Sequence, residues 1–409
     1  MKYWRGYLVA GILAAIALAL TAFAKAHTFL VDMIYPYISR MVMSTMANWT
    51  GGASFCVWQA LVLGMVALGI ASIVLMILLK WHPVQWFGWV MAVVSFIFMC
   101  NTVLYGLNEY TSPLADDIRL EVTDYNVSEL NEAAIFFRDK ANALAEEIAR
   151  DNKGKPDFGT FEEMAQQAGQ GFQVLTYDKT ISAFAGSTAP VKKQTWFATK
   201  GDSGMLLPLT GEVLVNPKVP TVCMPFAMCK EMAHRLAIYS DADASFAGFY
   251  AGIHNESVNF QYSAYLMAYH YCYQALKDIP TSTAQTAASQ TNSGVNAQLK
   301  ADLEDCFKFY GNTKATAQVR TATRTLREAD PTTDTVATDP TGETVAPTEA
   351  PQEQLDISFS SYTDVADLFA SWYIQEYITP LHQDEEVEFN PYDSTQVDLS
   401  GNVNAKVEN

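Results

Sequence analysis

The chain has 409 residues, half of them apolar, and carries a formal net charge of −18 at pH 7. The first 107 residues hold five basic residues against one acidic residue, so the rest of the chain carries a net charge of −22. Such an acidic chain lacks the basic surface that nucleic acid requires. We therefore expect that the part after residue 107 binds neither nucleic acid nor an anionic lipid surface.

Three apolar runs, residues 7–24, 55–79 and 87–107, contain no charged residue. Each is long enough to cross a bilayer as a helix. Between the first two runs, the segment "HTFLVDMIYPYISRMVMSTMANWTGG" mixes aromatic residues and methionines with few charges, which is typical of an amphipathic segment at the membrane surface. We predict that residues 1–107 form a membrane region with three transmembrane helices.

Basic residues predict the orientation of these helices. Lys2 and Arg5 precede the first run and Lys80 lies in the short turn between the second and third, and such positions stay in the cytoplasm. Lys25 and Arg40 lie in the loop predicted to be outside, and they reduce the difference in basic charge between the two sides of the membrane. The first run could instead be a signal peptide, because "AFAKA" resembles a cleavage site, but its long apolar core favours a retained anchor. Either way, the chain after residue 107 is predicted to be extracytoplasmic.

Four cysteines fall in this outer part, where an oxidising compartment permits disulfides. They are Cys223, Cys229, Cys272 and Cys306, whereas Cys56 and Cys100 lie in or beside the membrane runs. Four cysteines allow three sets of pairings, and the sequence does not choose among them. Buried free thiols are the alternative.

After residue 107 the pattern predicts a mainly helical domain with a small β element. Asn126 with Glu129, and Thr160 with Glu163, have the spacing of helix capping boxes. The stretch "TGEVLVN" predicts a strand at residues 212–216. The predicted divisions are an extracytoplasmic domain at 108–329, a disordered acidic linker rich in Pro and Thr at 330–356, a returning helix of the same domain at 357–380 and a flexible acidic tail at 381–409.

The predicted helix "MPFAMCKEMAHRLAIY" carries the candidate chemistry. In the motif His-Glu-x-x-His, two histidines four residues apart lie on one helix face and bind zinc, and the glutamate acts as general base. Here Glu231 and His234 occupy the second and last positions, and Lys230 stands where the first histidine belongs. Asp243, nine residues after His234, could supply a further ligand. Lys-Glu-x-x-His also occurs by chance in many helices.

From "NTVLYGLNEYTSPL" onward the chain resembles a bacterial membrane family catalogued as domain of unknown function 3810. The family has three N-terminal membrane helices and a Pro-Phe-Thr-x-x-His-Glu-x-Ala-His run followed by Glu-Asp-Glu-Ala-Asn-Phe. The matching stretches here are "LYGLN", "LPLTGEVLVN", "PFAMCKEMAHRLAIYSDADASF" and "FQYSAYL". The resemblance implies a zincin-like extracytoplasmic domain on a multi-pass protein of the bacterial plasma membrane. The family's function is uncharacterised, and peptidase activity is inferred from its motif.

Carried over residue by residue, the resemblance implies that Glu231 matches the general base, His234 a histidine ligand and Asp243 the later acidic ligand. Lys230 departs from the motif at the first histidine. Ala237 replaces a usual glycine, and Ser245 replaces an asparagine.

The lysine changes the chemistry, because an ammonium group has no lone pair for a metal. Only two protein ligands remain, whereas catalytic zinc usually has three. His254, His270 and Cys229 are poorly placed as substitutes on helical geometry. We expect no cofactor, with zinc bound only if another residue rescues the site. Lys230 is expected to pair with Glu231 and Asp243, so that the metal-free site is electrically balanced.

These inferences predict a catalytically impaired, membrane-anchored metallopeptidase-like protein that binds an unidentified extracytoplasmic peptide or protein. The strand formed by Glu212, Val213, Leu214, Val215 and Asn216 is predicted to be an edge strand to which an extended peptide adds. An interior strand is the alternative. Two other functions stay open, which are an active zinc metallopeptidase with a rescuing ligand such as His270 and a structural subunit of an envelope complex.

Overall fold

The computed structural model describes residues 4–177, 182–196, 198–310 and 365–380. The predicted linker at 330–356 and the predicted tail at 381–409 lie outside these residues. The described chain is mostly helical, with a three-stranded sheet. This confirms the predicted helical class and the small β element.

Three helices are long and apolar enough to cross a membrane: α1 (Arg5–Ala26), α3 (Val57–Leu78) and α4 (Pro83–Leu104). Helices α1 and α4 pack closely, because glycines meet where they cross. A Cβ atom on Gly6 would lie 2.4 Å from the carbonyl carbon of Gly88. Small residues let membrane helices approach in this way. Helix α3 has no buried residue along its length.

Helix α2 (Thr28–Gly51) connects the membrane helices to the rest of the chain. On one face, the Ser39 hydroxyl donates to the Leu104 carbonyl at 2.6 Å, and Arg40 Nε donates to the Leu236 carbonyl at 3.0 Å. Other side chains of α2 are exposed, among them Phe29 at 77 % and Trp49 at 78 %. The predicted amphipathic segment is therefore a helix that packs on protein and also exposes large apolar side chains.

The domain after α4 is built from helices around one apolar core. Both predicted capping boxes are present, from Asn126 with Glu129 and from Thr160 with Glu163. Phe369 of the returning helix is fully buried, and its ring lies 5.0 Å from that of Phe249. The helices are α5 (Leu114–Ile118), α6 (Val127–Glu147), α7 (Phe161–Gln167), α8 (Gln170–Tyr177), α9 (Met224–Arg235), α10 (Asp241–Ile253), α11 (Val258–Asp278), α12 (Ser282–Ser293), α13 (Ala297–Tyr310) and α14 (Val365–Tyr373).

The sheet has the order β1-β3-β2, with β1 (Lys192–Lys193) parallel and β2 (Gly204–Leu207) antiparallel to β3 (Glu212–Val215). The predicted edge strand is therefore the central strand, and every residue of β3 is buried. The edge-strand prediction was wrong because the neighbours of β3 come from segments that carry little strand pattern of their own. Asn216, the last residue of that predicted strand, instead donates its side-chain amide to the carbonyls of Thr199 and Asp202.

Glu212, predicted to contact substrate, caps α3, one of the helices long and apolar enough to cross a membrane. Its carboxylate accepts hydrogen bonds from the backbone N–H groups of Val57 at 2.8 Å and Trp58 at 2.7 Å, in the first turn of α3. Lys192 pairs with it at 2.8 Å. Burial raises the pKa of Glu212, but the hydrogen bonds from Lys192, Trp58 and Val57 outweigh burial and hold the pKa below its usual value. Carboxylates are stabilising at helix N-termini, so this contact fixes α3 to the sheet.

A disulfide joins Cys223, just before α9, to Cys306 on α13. Cys229 and Cys272 are buried free thiols. The sequence left open disulfides or buried free thiols for these four cysteines. Both occur, because Cys223 and Cys306 are bonded and Cys229 and Cys272 are free.

We predict that Glu212→Gln lowers the free energy of unfolding of the full chain in detergent by about 2 kcal/mol, because it removes the charged acceptor of the hydrogen bonds from Lys192, Val57 and Trp58. Because the pKa of Glu212 is lowered by folding, its stabilisation is present above the usual value of 4.5 and is lost as pH falls through the folded value. The free energy of unfolding of the Glu212→Gln variant should therefore fall less steeply as the pH is lowered. Thermal unfolding across pH measures both effects. Glu121→Gln, at an exposed position, is the control, and equal losses in both variants contradict the account.

Candidate functional site

A cavity of about 360 Å³ lies between β2, the C-terminal end of α4 and the helices α9 and α10. Three residues of the sequence motif line it: Lys230, Glu231 and His234. The loop and strand at residues 201–206 form the opposite wall, and Tyr105 closes one end. Helix α9 presents the three motif residues together because positions three and four apart share a face.

Two local features bring α9 and α10 together behind this cavity. A Cβ atom on Gly248 of α10 would lie 2.8 Å from the backbone nitrogen of Lys230, so only glycine allows this close approach. The turn after α9 places Ala237 at φ +71°, with the Ile238 N–H bonded to the Ala233 carbonyl at 3.4 Å. This left-handed helix end usually carries glycine. The family resemblance implies a glycine at the position of Ala237. The positive φ at this position explains why glycine is favoured there.

Lys230 is the positive group of the cavity. Its Nζ lies 2.7 Å from Oδ1 of Asp241, and the residue is 8 % exposed. Burial lowers the pKa of Lys230, but the negative charge of Asp241 and smaller effects of Tyr271 and Glu231 outweigh it, so the pKa is raised. Lys230 therefore remains an ammonium group and has no lone pair to offer a metal.

The acidic partner of Lys230 is Asp241, not the predicted Asp243. Two residues along a helix are about 200° apart around its axis, so the two carboxylates point to different sides of α10. Asp241 is the first residue of α10 and lines the cavity, whereas Asp243 is buried and lines a second cavity described below. Asp243 was predicted from its spacing of nine residues after His234 and from the family resemblance, and neither shows which face of α10 meets α9.

Glu231 is buried at 4 % exposure, as a general base in a cleft would be. The Ser203 hydroxyl donates a hydrogen bond to its Oε1. Burial raises the pKa of Glu231, whereas the charges of Lys230 and His234 and the bond from Ser203 act in the opposite direction. Asp202 also lines the cavity, and burial raises its pKa as well. Ser203 and Asp202 had no motif signal in the sequence.

His234 is held in one orientation by the turn that follows it. Its Nδ1 lies 2.8 Å from the Ile238 carbonyl, which can only accept, so Nδ1 carries the hydrogen. In the neutral ring, Nε2 then has the free lone pair. Tyr105 at the end of α4 lies 3.1 Å from the same Nδ1 and donates to the Ile238 carbonyl at 3.3 Å. Such a bond to the distal nitrogen is typical of metal-binding histidines. The stretch "LYGLN" contained Tyr105 but did not show its role.

The side chains present do not fit a three-ligand zinc site. Among the described residues, no group of three His, Cys, Asp or Glu side chains is close enough to hold a metal ion. The proposed substitutes lie outside the cavity lining: His254 Nδ1 bonds the Tyr250 carbonyl at 2.8 Å, and His270 packs against the ring of Phe307 at 4.8 Å. Burial lowers the pKa of His270 to about 4, so it remains neutral above that pH.

Strand β2 is one of the two edge strands of the sheet, and it borders the cavity. The Asn216 N–H bonds the Ser203 carbonyl at 2.8 Å, so in the antiparallel ladder Met205 also bonds towards β3. Gly204 and Leu206, at alternate positions, therefore turn their backbone groups to the other side. Among the described strands, none pairs with that side. Glycine is required at position 204, because a Cβ atom there would lie 2.9 Å from Cγ of Glu231.

The model of a family described as "Protein of unknown function (DUF3810)" matches residues 31–323, which is most of the chain. The chain belongs to this family, which confirms the family predicted from the sequence. No curated protein and no solved structure matches the chain.

We predict that Ala237→Gly stabilises the protein by about 0.5–1 kcal/mol. Removing the Cβ atom relieves about 1–2 kcal/mol of left-handed strain, partly offset by about 0.4–1 kcal/mol of added entropy in the unfolded chain. Thermal unfolding of the full chain measures the change. Ala287→Gly, inside α12, is the matched control and should destabilise by about 1 kcal/mol. If both substitutions destabilise equally, position 237 is not strained.

Proposed function

We propose that this member of the family is a zincin-like protein of the bacterial plasma membrane that binds extracytoplasmic peptides or proteins and has lost zinc catalysis. The observation that carries the proposal is the pair at 2.7 Å between the buried Lys230 and the exposed Asp241, in the wall of a cavity that Glu231 and His234 also line. A base, a correctly oriented histidine and an acidic residue are retained there, and an ammonium group replaces one ligand.

The charge of Lys230 opposes a divalent cation in the same cavity. Two unit charges about 4 Å apart interact by about 4 kcal/mol at the effective dielectric constant typical of proteins, and a doubly charged ion doubles that repulsion. Asp241 is neutralised by Lys230 and is a weaker ligand for that reason. A site balanced by an internal ion pair keeps its shape without metal.

An extracytoplasmic position is supported by two independent features. Lys2, Arg5 and Lys80 favour a cytoplasmic N-terminus and a cytoplasmic turn between α3 and α4, which leaves the chain after α4 outside. Disulfides such as Cys223–Cys306 persist in oxidising compartments, which favours a position outside the cytoplasm.

Peptide binding is supported by the open edge of β2 beside the cavity. An extended peptide that pairs with Gly204 and Leu206 would place one side chain above Lys230 and Glu231. Main-chain hydrogen bonds supply affinity in this binding mode, and no metal is needed. Three acidic residues, Asp202, Glu231 and Asp241, line the cavity against one lysine, so a basic peptide side chain fits best.

We predict that the full chain, purified without chelator, holds substoichiometric zinc, whereas Lys230→His with Asp241→Glu binds one zinc per chain, because the double substitution restores a third ligand. Elemental analysis after dialysis into metal-free buffer measures the ratio.

Lys230→Met is the matched control, since it removes the ammonium charge without adding a ligand and should stay substoichiometric. One equivalent of zinc in the unchanged protein, lost on His234→Ala, contradicts the proposal and favours the active metallopeptidase.

We also predict that an extended basic peptide, fluorescein-Ala-Val-Lys-Val-Thr-Val, binds through its backbone. Each lost hydrogen bond costs about 1 kcal/mol, so N-methylation at the two alternate residues that face β2 should weaken binding roughly tenfold or more. Fluorescence anisotropy with the full chain measures affinity.

N-methylation of the other alternate residues is the control, because their N–H groups point away from β2 and binding should persist. Equal affinity for both methylated peptides contradicts strand addition at this edge.

A further inference from the structure

A second cavity, of about 710 Å³, lies between α2 and the turn that joins α9 to α10. Its α2 wall is a stripe with a spacing of four residues, formed by Asp32, Pro36, Arg40, Ser44 and Asn48. Residues at that spacing lie on one face of a helix, so α2 turns this face inward along about four turns.

This cavity lies at the outer ends of two membrane helices. Helix α1 ends at Ala26 and α4 at Leu104, and the cavity lining begins a few residues beyond each, at Asp32 and Asn108. Contacts hold the middle of α2 against the end of α4, where the Tyr35 hydroxyl donates to the Val103 carbonyl at 3.0 Å. With α1 and α4 in a bilayer, the cavity is at the boundary between lipid tails and water.

One side of this cavity is bordered by exposed residues of α2. Its rim on α2 is a second stripe, Met33, Tyr37 and Met41, which is 61 %, 70 % and 52 % exposed. These residues belong both to the lining and to the apolar outer face of α2. An amphipathic helix with such a face lies at the level of lipid headgroups. A lipid headgroup can therefore enter the cavity between the two stripes of α2, while the acyl chains of that lipid stay along the rim.

The cavity lining holds more acidic than basic residues. It contains four acidic residues, Asp32, Glu109, Asp117 and Asp243, and Arg40 is the basic residue among its described members. The oxygens of Asp32 accept hydrogen bonds from the N–H and hydroxyl of Ser112 at 2.7 and 2.8 Å. Glu109 and Asp117 are exposed and line the cavity, and the charge of Arg40 attracts that of Asp117, so the lining keeps an excess of negative charge. A negative lining selects a positively charged group.

We infer that this cavity binds the headgroup of a zwitterionic phospholipid that carries a primary ammonium, of the phosphatidylethanolamine class. The ammonium has three N–H donors for carboxylates, whereas a choline headgroup has none. An anionic glycerol headgroup meets net repulsion from the four acidic residues. The inference depends on α1 and α4 lying in the bilayer and is independent of peptide binding at β2.

The test uses the full chain in detergent, exchanged against vesicles of equal parts phosphatidylethanolamine, phosphatidylcholine and phosphatidylglycerol. Lipids retained after purification are identified by native mass spectrometry. Because a hydrogen bond to a charged group discriminates by roughly tenfold, the retained ethanolamine lipid should exceed the choline lipid by roughly that factor. Equal retention of the three classes, or preference for glycerol lipid, overturns the inference.

The variant Glu109→Gln with Asp117→Asn removes two charges from the cavity and should abolish the preference. Both side chains are exposed, so the substitution leaves the core intact, and an unchanged melting temperature verifies this. Asp116→Asn with Glu121→Gln is the matched control, because it removes two exposed charges that do not line the cavity. Persistent ethanolamine preference in the first variant, or its loss in the control, overturns the inference.

Discussion

The ion pair between Lys230 and Asp241 is the constraint around which the candidate site is arranged. It joins the middle of α9 to the first residue of α10, at the point where Gly248 brings the two helices into contact. The ammonium borders a cavity that Asp202, Glu231 and His234 also line. Under the proposed function, Lys230 takes the place of a metal ion as the positive charge beside these acidic residues. A hydrogen bond between Nδ1 of His234 and the Ile238 carbonyl orients the imidazole.

The sheet and the α9–α10 turn connect this site to the membrane helices. Glu212 on the central strand caps α3, and the neighbouring strand β2 forms a wall of the site. The turn at residues 236–240 lies between the two cavities. The Ile238 carbonyl bonds His234, which lines the candidate site, and Ile238 itself lines the second cavity. Hydrogen bonds join residues 1–107 to the later part of the chain at both places, and at the turn Arg40 bonds the Leu236 carbonyl and Tyr105 bonds the Ile238 carbonyl. The wall of the candidate site and the lining of the second cavity are thus parts of one continuous framework.

Much of the helical structure could be predicted from the sequence because its signals are local. The apolar runs, the capping boxes at Asn126 and Thr160 and the position of Lys230 beside Glu231 all depend on neighbouring residues. The strand at 212–216 was located, but its place in the sheet depends on β1 and β2, which carry weak patterns. The confusion of Asp243 with Asp241 has a similar origin, since the face that α10 turns towards Lys230 depends on packing against α9. The Cys223–Cys306 pairing and the contribution of Tyr105 are long-range contacts with no local signal.

The central claim is that an ammonium group occupies the place of a metal ion. Its most direct test is diffraction from crystals of the full chain grown with zinc, with data collected at the zinc absorption edge. The account predicts density for Lys230 Nζ against Asp241 and no anomalous peak beside Nε2 of His234. A strong anomalous peak coordinated by His234, with Lys230 turned away from Asp241, contradicts it.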